Sequence, residues 1–173
     1  MLIKKRDNYI PNKLIDTADT IIGSVTDDIL FAKRIKENFN LNDDEFNILI
    51  KNIVNKYEDY KPLWNALEKL KEEYKLVIIN NGTALTLPLF KKNFPINNIF
   101  ELFVSSAIEG MRKPDKKIYL LTTSKLGIKP ERCLFMDDNK ENIETAKKLG
   151  MKTIYWENHN RGFAEFKKLL NIK

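Results

Sequence analysis

The chain has 173 residues, enough to bury a core of its own, because folding at this size hides roughly two-thirds of the unfolded surface. One cysteine, Cys133, and one histidine, His159, exclude a disulfide scaffold, a cysteine-rich zinc site and a multi-histidine metal centre, and argue against Ser/His/Asp catalysis. The formal charge is +6, from 30 basic and 24 acidic residues.

In chain order, the first clear pattern is a pair of helices, Asp27 to Asn38 around Ile29, Leu30 and Ile35, and Asp43 to Tyr57 around Phe46, Leu49, Ile50, Ile53 and Val54. Asp43-Asp44-Glu45 suits the positive end of the second helix dipole. No strand separates the two, which predicts an inserted helical hairpin. A third helix is predicted over Leu63 to Glu73, with Trp64, like Phe46, read as core. Leu76-Val77-Ile78-Ile79 then reads as a strand stopped by Asn80-Asn81-Gly82. Unbroken apolarity there predicts burial on both faces, as in a parallel sheet. Phe100 to Val104, Cys133 to Met136 and Lys152 to Trp156 read alike, with helices over Leu85 to Lys92, Lys116 to Leu126 and Asn142 to Leu149 between them. Cys133 is expected to be inert at the start of a buried strand, and His159 to lie in a loop after the last one. Strands alternating with helices at βαβ spacing predict an α/β fold with a doubly wound parallel sheet. Ligands of such sheets bind beyond the carboxyl ends of the strands.

Three segments carry chemistry at those ends. The strand Cys133-Leu134-Phe135-Met136 runs into Asp137-Asp138-Asn139, followed by Asn142, Ala146 and Gly150. Adjacent carboxylates repel unless a cation neutralises them, and hard oxygen ligands suit Mg²⁺; alternatively Asp138 or Asn139 caps the next helix. Lys113-Pro114-Asp115 precedes the helix from Lys116, and proline biases Lys113 towards an extended backbone. Fixed there, Lys113 could pair with a phosphate and with the carboxylates, although an isolated lysine is ordinarily solvated. Asn80-Asn81-Gly82-Thr83 offers amides and backbone N–H groups to phosphate oxygens, or is simply an Asn-Gly turn.

Taken together, these segments resemble the haloacid dehalogenase-like hydrolase superfamily, subfamily I type, over about residues 61–157. The resemblance implies a Rossmann-like core formed by residues 1–24 and 58–173, a small helical cap over residues 25–57, and mostly Mg²⁺-dependent phosphohydrolase chemistry. It implies that Lys113 stabilises the nucleophile and phosphoryl group, that Asp137 and Asp138 hold Mg²⁺ with the nucleophile, and that Asn80, Asn81 and Gly82 contact the phosphoryl oxygens. Asn80 stands where the family has a Ser or Thr hydroxyl; an amide can also donate.

The family's nucleophile lies in Asp-x-Asp-x-Thr after a central first strand. The best match is Asp16-Thr17-Ala18-Asp19-Thr20, which makes Asp16 the candidate nucleophile and third metal ligand. This first motif is degenerate: Ala18 replaces the acid/base Asp, and Pro11, Asn12 and Lys13 interrupt the preceding strand. Asp7 is a weaker candidate, behind Lys4-Lys5-Arg6.

Two functions follow. One is a Mg²⁺-dependent phosphatase acting on a small phosphorylated metabolite through an aspartyl-phosphate. The other is a catalytically impaired protein of the same fold that binds or scaffolds. Residues 61–173 carry 21 basic and 13 acidic groups against 9 and 11 in residues 1–60, which suits an anionic ligand in the second part. Lysines outnumber arginines 25 to 5 and no nucleic-acid module appears, so nucleic acid is not the expected partner. Unbroken apolar runs stop at about five residues against the ~20 that span a bilayer, and Lys4-Lys5-Arg6 follows rather than precedes an apolar start. A cytoplasmic monomer or homodimer is expected.

Overall fold

The computed structural model describes residues 27–57 and 59–172. Along the chain these form α1 (Asp28–Phe39), α2 (Asp43–Asn55), α3 (Lys61–Leu70), β1 (Val77–Asn80), a 3₁₀ turn (Ala84–Thr86), α4 (Leu87–Asn93), α5 (Ile96–Ile99), β2 (Leu102–Ser105) and α6 (Ser106–Glu109). There follow α7 (Lys116–Leu126), a second 3₁₀ turn (Pro130–Arg132), β3 (Leu134–Asp137), α8 (Lys140–Lys148), β4 (Lys152–Tyr155) and α9 (His159–Leu169). Parallel strands joined by helices make this an α/β fold of the expected Rossmann-like kind. The candidate first strand, Tyr9 to Ile15, with Asp16, Ala18 and Asp7, lies outside the described residues.

The chain gathers into two compact units. One contains the described residues up to Asp59 together with Leu76–Arg112; the other contains Tyr60–Lys75 and the chain from Lys113 onward. In the first unit β1 and β2 pair in parallel, with Val77 opposite Leu102 and Asn80 opposite Ser105. The helical hairpin belongs to this unit. Phe46, Leu49, Ile50, Ile53 and Val54 recur at helical spacing and are all buried. Together with Phe31, Ile35 and Leu41 most of them form a cluster against which Leu89 and Ala107 pack. The buried face of α1 is Phe31 and Ile35, one turn apart, rather than the face expected from Ile29 and Leu30, which are 84% and 45% exposed. Asn42 and Glu45 close a full capping box at the start of α2, satisfying two of the amides a helix start leaves open.

In the second unit β3 and β4 pair in parallel, Leu134 opposite Lys152 and Asp137 opposite Tyr155, with α8 as the crossover. Ile118, Tyr119, Ile143, Ala146, Ile154 and Phe166 are buried there. Gly127, at φ +66, ends α7 in the left-handed conformation that glycine adopts without a Cβ penalty.

Four expectations need correction. β1 and β3 are half-buried along their length rather than enclosed on both faces; among the described residues each is hydrogen-bonded to a single neighbouring strand. Cys133 precedes β3 rather than opening it and is half-buried. Trp64 is likewise half-buried. His159 is the first residue of α9, not a loop residue, because Asn158 accepts the Arg161 amide and caps a helix there. Phe163 and Phe166 of that helix are joined by ring contact.

Candidate active site

The second unit concentrates its chemistry at the carboxyl end of β3. Asp137, the last strand residue, accepts from Lys113 Nζ at 2.6 Å through Oδ2. Its Oδ1 accepts from the Asn139 backbone amide and from Asn142 Nδ2, each at 2.9 Å. Both partners of the ion pair are nearly buried, with side-chain exposures of 11% and 7%. Such a pair persists because further hydrogen bonds satisfy the remaining lone pairs. Lys113 also lies 5.7 Å from the centre of the Phe135 ring, which a cation favours. The Lys113–Pro114 peptide bond is cis, and Asp115 caps α7 by accepting the Lys117 amide.

Asn139 caps α8 by accepting the Glu141 amide, so the helix start does not occupy Asp138. Asp138 is exposed and takes no hydrogen bond or ion pair among the described residues. The two readings of Asp137-Asp138-Asn139 therefore divide the segment, Asn139 capping, Asp138 exposed and Asp137 held inward by Lys113. Asn142 is buried, and its Oδ1 has no hydrogen-bond partner among the described residues. Beside it, Tyr119 is fully buried and donates to the Asn142 carbonyl oxygen at 3.1 Å. Burial, and secondarily the charge of Asp137, push the Tyr119 hydroxyl well above its usual range, so it stays a donor. Tyr119 was not legible as a site residue; only its position one turn into α7 distinguishes it.

An exposed carboxylate, a carboxylate paired with lysine and, among the described residues, an amide oxygen without a hydrogen-bond partner are hard oxygen donors of the kind that suits Mg²⁺. Among the described residues no three His, Cys, Asp or Glu side chains come together as a metal site; the third expected ligand, Asp16, lies outside them.

The first unit carries the other candidate segment. Asn80 ends β1 opposite Ser105. Gly82 is buried, and its N–H donates to Ser106 Oγ at 2.9 Å, so this amide is not open to a ligand. The Gly82 carbonyl accepts from Ser105 Oγ at 3.0 Å and from the Ala107 amide at 3.3 Å. Ser105 and Ser106 are both buried and hold the turn in place. Their only sequence signal is two consecutive serines at the end of a strand. On the far side of the turn, Asp28 of α1 accepts from Thr83 Oγ1 and from the Ala84 amide.

A family model for haloacid dehalogenase-like hydrolases matches residues 7–156. The chain belongs to that family. Its relatives include phosphatases: a phosphorylated carbohydrates phosphatase from Thermotoga maritima is 40% identical over 96 residues, 55% of this chain and 44% of that protein. A bifunctional epoxide hydrolase from Sus scrofa is 26% identical over 144 residues, 81% of this chain and 25% of that protein. The chain spans under half the length of these curated relatives. Among solved structures, a family enzyme from Bacteroides thetaiotaomicron superposes with a TM-score of 0.69 at 21% identity, covering 92% of this chain and 78% of that one. The same enzyme has been solved with magnesium and inorganic phosphate. At such identity the likeness carries the fold. Among the described residues of this haloacid dehalogenase-like chain, no helix is long and apolar enough to cross a membrane.

Proposed function

We propose that this haloacid dehalogenase-like chain is a Mg²⁺-dependent phosphohydrolase of a small phosphorylated metabolite. The observation that carries the reading is the nearly buried Lys113–Asp137 pair next to Asp138, whose exposed carboxylate has no partner among the described residues. In this proposal Asp16 attacks phosphorus, the leaving alcohol departs, and water then cleaves the aspartyl-phosphate. Lys113 holds positive charge against the nucleophile and the phosphoryl oxygens, while Asn80 and Asn81 donate to those oxygens and Gly82 shapes their turn. Asp138 and Asp16, with Asp137 behind them, would hold the cation, which when bound neutralises charge developing on the phosphoryl group. Residues 25–57 act as a small cap. A cytoplasmic setting is part of the same proposal, since the single Cys133 offers no intramolecular disulfide of the kind oxidising compartments favour.

The test is phosphate release by the purified protein with Mg²⁺ across sugar phosphates, nucleotides and phosphoglycolate-like acids. Activity that disappears in Asp16→Asn and Lys113→Ala is expected; no release across the panel would sink the proposal. Ala18, standing where the family's acid/base Asp belongs, favours a second reading, a binding protein of the same fold. Tight phosphate-ester binding without turnover is its signature, and sustained turnover removes it.

A further inference from the structure

Asp27 and Asp28 are adjacent at the start of α1, and only one of them is needed there. Asp27 is the N-cap, accepting the Leu30 amide at 2.8 Å. Asp28 is thereby released from the helix end and reaches 55 residues along the chain, accepting from Thr83 Oγ1 and, through both carboxylate oxygens at 3.1 Å, from the Ala84 amide. Thr83 is 1% exposed. Because its hydroxyl proton goes to Asp28, its lone pair is left to accept the Leu85 amide at 3.1 Å, which caps the 3₁₀ turn. Thr86 Oγ1 closes the same turn by donating to the Thr83 carbonyl at 2.8 Å. The turn after β1 is thus gripped from two directions, by Ser105 and Ser106 at Gly82 and by Asp28 at Thr83 and Ala84. The second grip comes from the hairpin helix.

We infer that Asp28 is a positioning residue: from the first turn of α1 it latches the turn that follows Asn80-Asn81-Gly82, so that the placement of the hairpin and the geometry of the phosphate-binding turn are set together. Its role in binding rests on the function proposed above; the latch itself does not. A carboxylate suits this task because it accepts several donors at once, and charge-assisted bonds hold geometry more tightly than neutral ones. Thr83 and Ala84 follow directly along the chain on the residues that would donate to phosphoryl oxygens, so slackening the turn weakens binding of the phosphate group rather than the chemistry at Asp16.

The experiment has two arms. Amide exchange followed by NMR reads the latch directly: in Asp28→Ala the Ala84 and Leu85 amides lose protection at least tenfold while those of α2 keep theirs. Calorimetric titration with inorganic phosphate in the presence of Mg²⁺ reads its role: Asp28→Ala and the isosteric Thr83→Val each weaken binding about tenfold, as expected for a lost charge-assisted bond. The double variant is no worse than the poorer single one, and Thr83→Ser, which keeps the hydroxyl, binds as wild type. Unchanged Ala84 protection in a folded Asp28→Ala overturns the latch whatever the wild type hydrolyses. Unchanged phosphate affinity with lost protection overturns its positioning role. Failure of the wild type itself to bind phosphate overturns the proposed function, while the exchange arm still decides the latch.

Discussion

Asp137 meets three donors with two oxygens, Lys113 on one and Asn139 and Asn142 on the other. An ammonium at 2.6 Å, nearly excluded from water, has given up hydration that the Asp137 carboxylate helps to replace. Removing either member alone leaves a buried charge, so Lys113→Ala is expected to cost about 3 kcal/mol in urea unfolding. Lys113→Ala combined with Asp137→Ala should cost less than the sum of the singles, because the second substitution removes the stranded charge. Additive losses would show that the pair is not coupled. The sequence marked both residues and the pattern that joins them. It did not show that Asn139 would take the capping role and leave Asp138 exposed, since local spacing allowed either residue to cap.

At the scale of elements, α2 was legible because its buried face repeats over several turns, and α7 came out with its predicted bounds, Lys116–Leu126. α1 was legible as a helix but not in its orientation, because Ile29, Leu30 and Phe31 are consecutive and the sequence alone does not say which of them faces the core. α9 was missed, and one of its residues bears on stability in a way propensity misjudges. Gly162 is buried in that helix, where alanine would ordinarily gain about 1 kcal/mol. A Cβ at this position would lie 2.5 Å from the Trp156 ring, and that ring is anchored by its indole N–H donating to His159 Nδ1 at 3.1 Å. His159 in turn stacks on Tyr60, 4.1 Å between ring centres. Gly162→Ala is therefore expected to destabilise by about 1–3 kcal/mol through overpacking, read as a lower urea midpoint with a shift in tryptophan emission. A raised midpoint would show that the ring yields.

For the whole molecule, a ligand that binds the folded state alone stabilises it by mass action, by about 2.7 kcal/mol at a hundredfold excess over its dissociation constant. Mg²⁺ with inorganic phosphate is expected to raise the melting temperature of this chain, and chelation should reverse the shift. Asp138→Asn should abolish the Mg²⁺-dependent part while leaving the metal-free melting temperature nearly unchanged, since Asp138 is exposed and makes no ion pair among the described residues. An equal shift in wild type and variant would take Asp138 out of the metal site.

The α/β class and the family were readable from residue order, because parallel strands need helical crossovers and because Asn80-Asn81, Lys113-Pro114 and Asp137-Asp138 keep their spacing along the chain. These are local signals: each depends on residues within a few positions of one another. What waited for the tertiary structure were the long-range partners. Asp28 meets Thr83 across 55 residues, a distance over which side-chain type and spacing say nothing of contact, whereas the pairing of Lys113 with a carboxylate was expected and the structure decided only that Asp137 is the partner. Burial decided these partnerships, since a polar group taken out of water must find its hydrogen bond wherever the fold brings one.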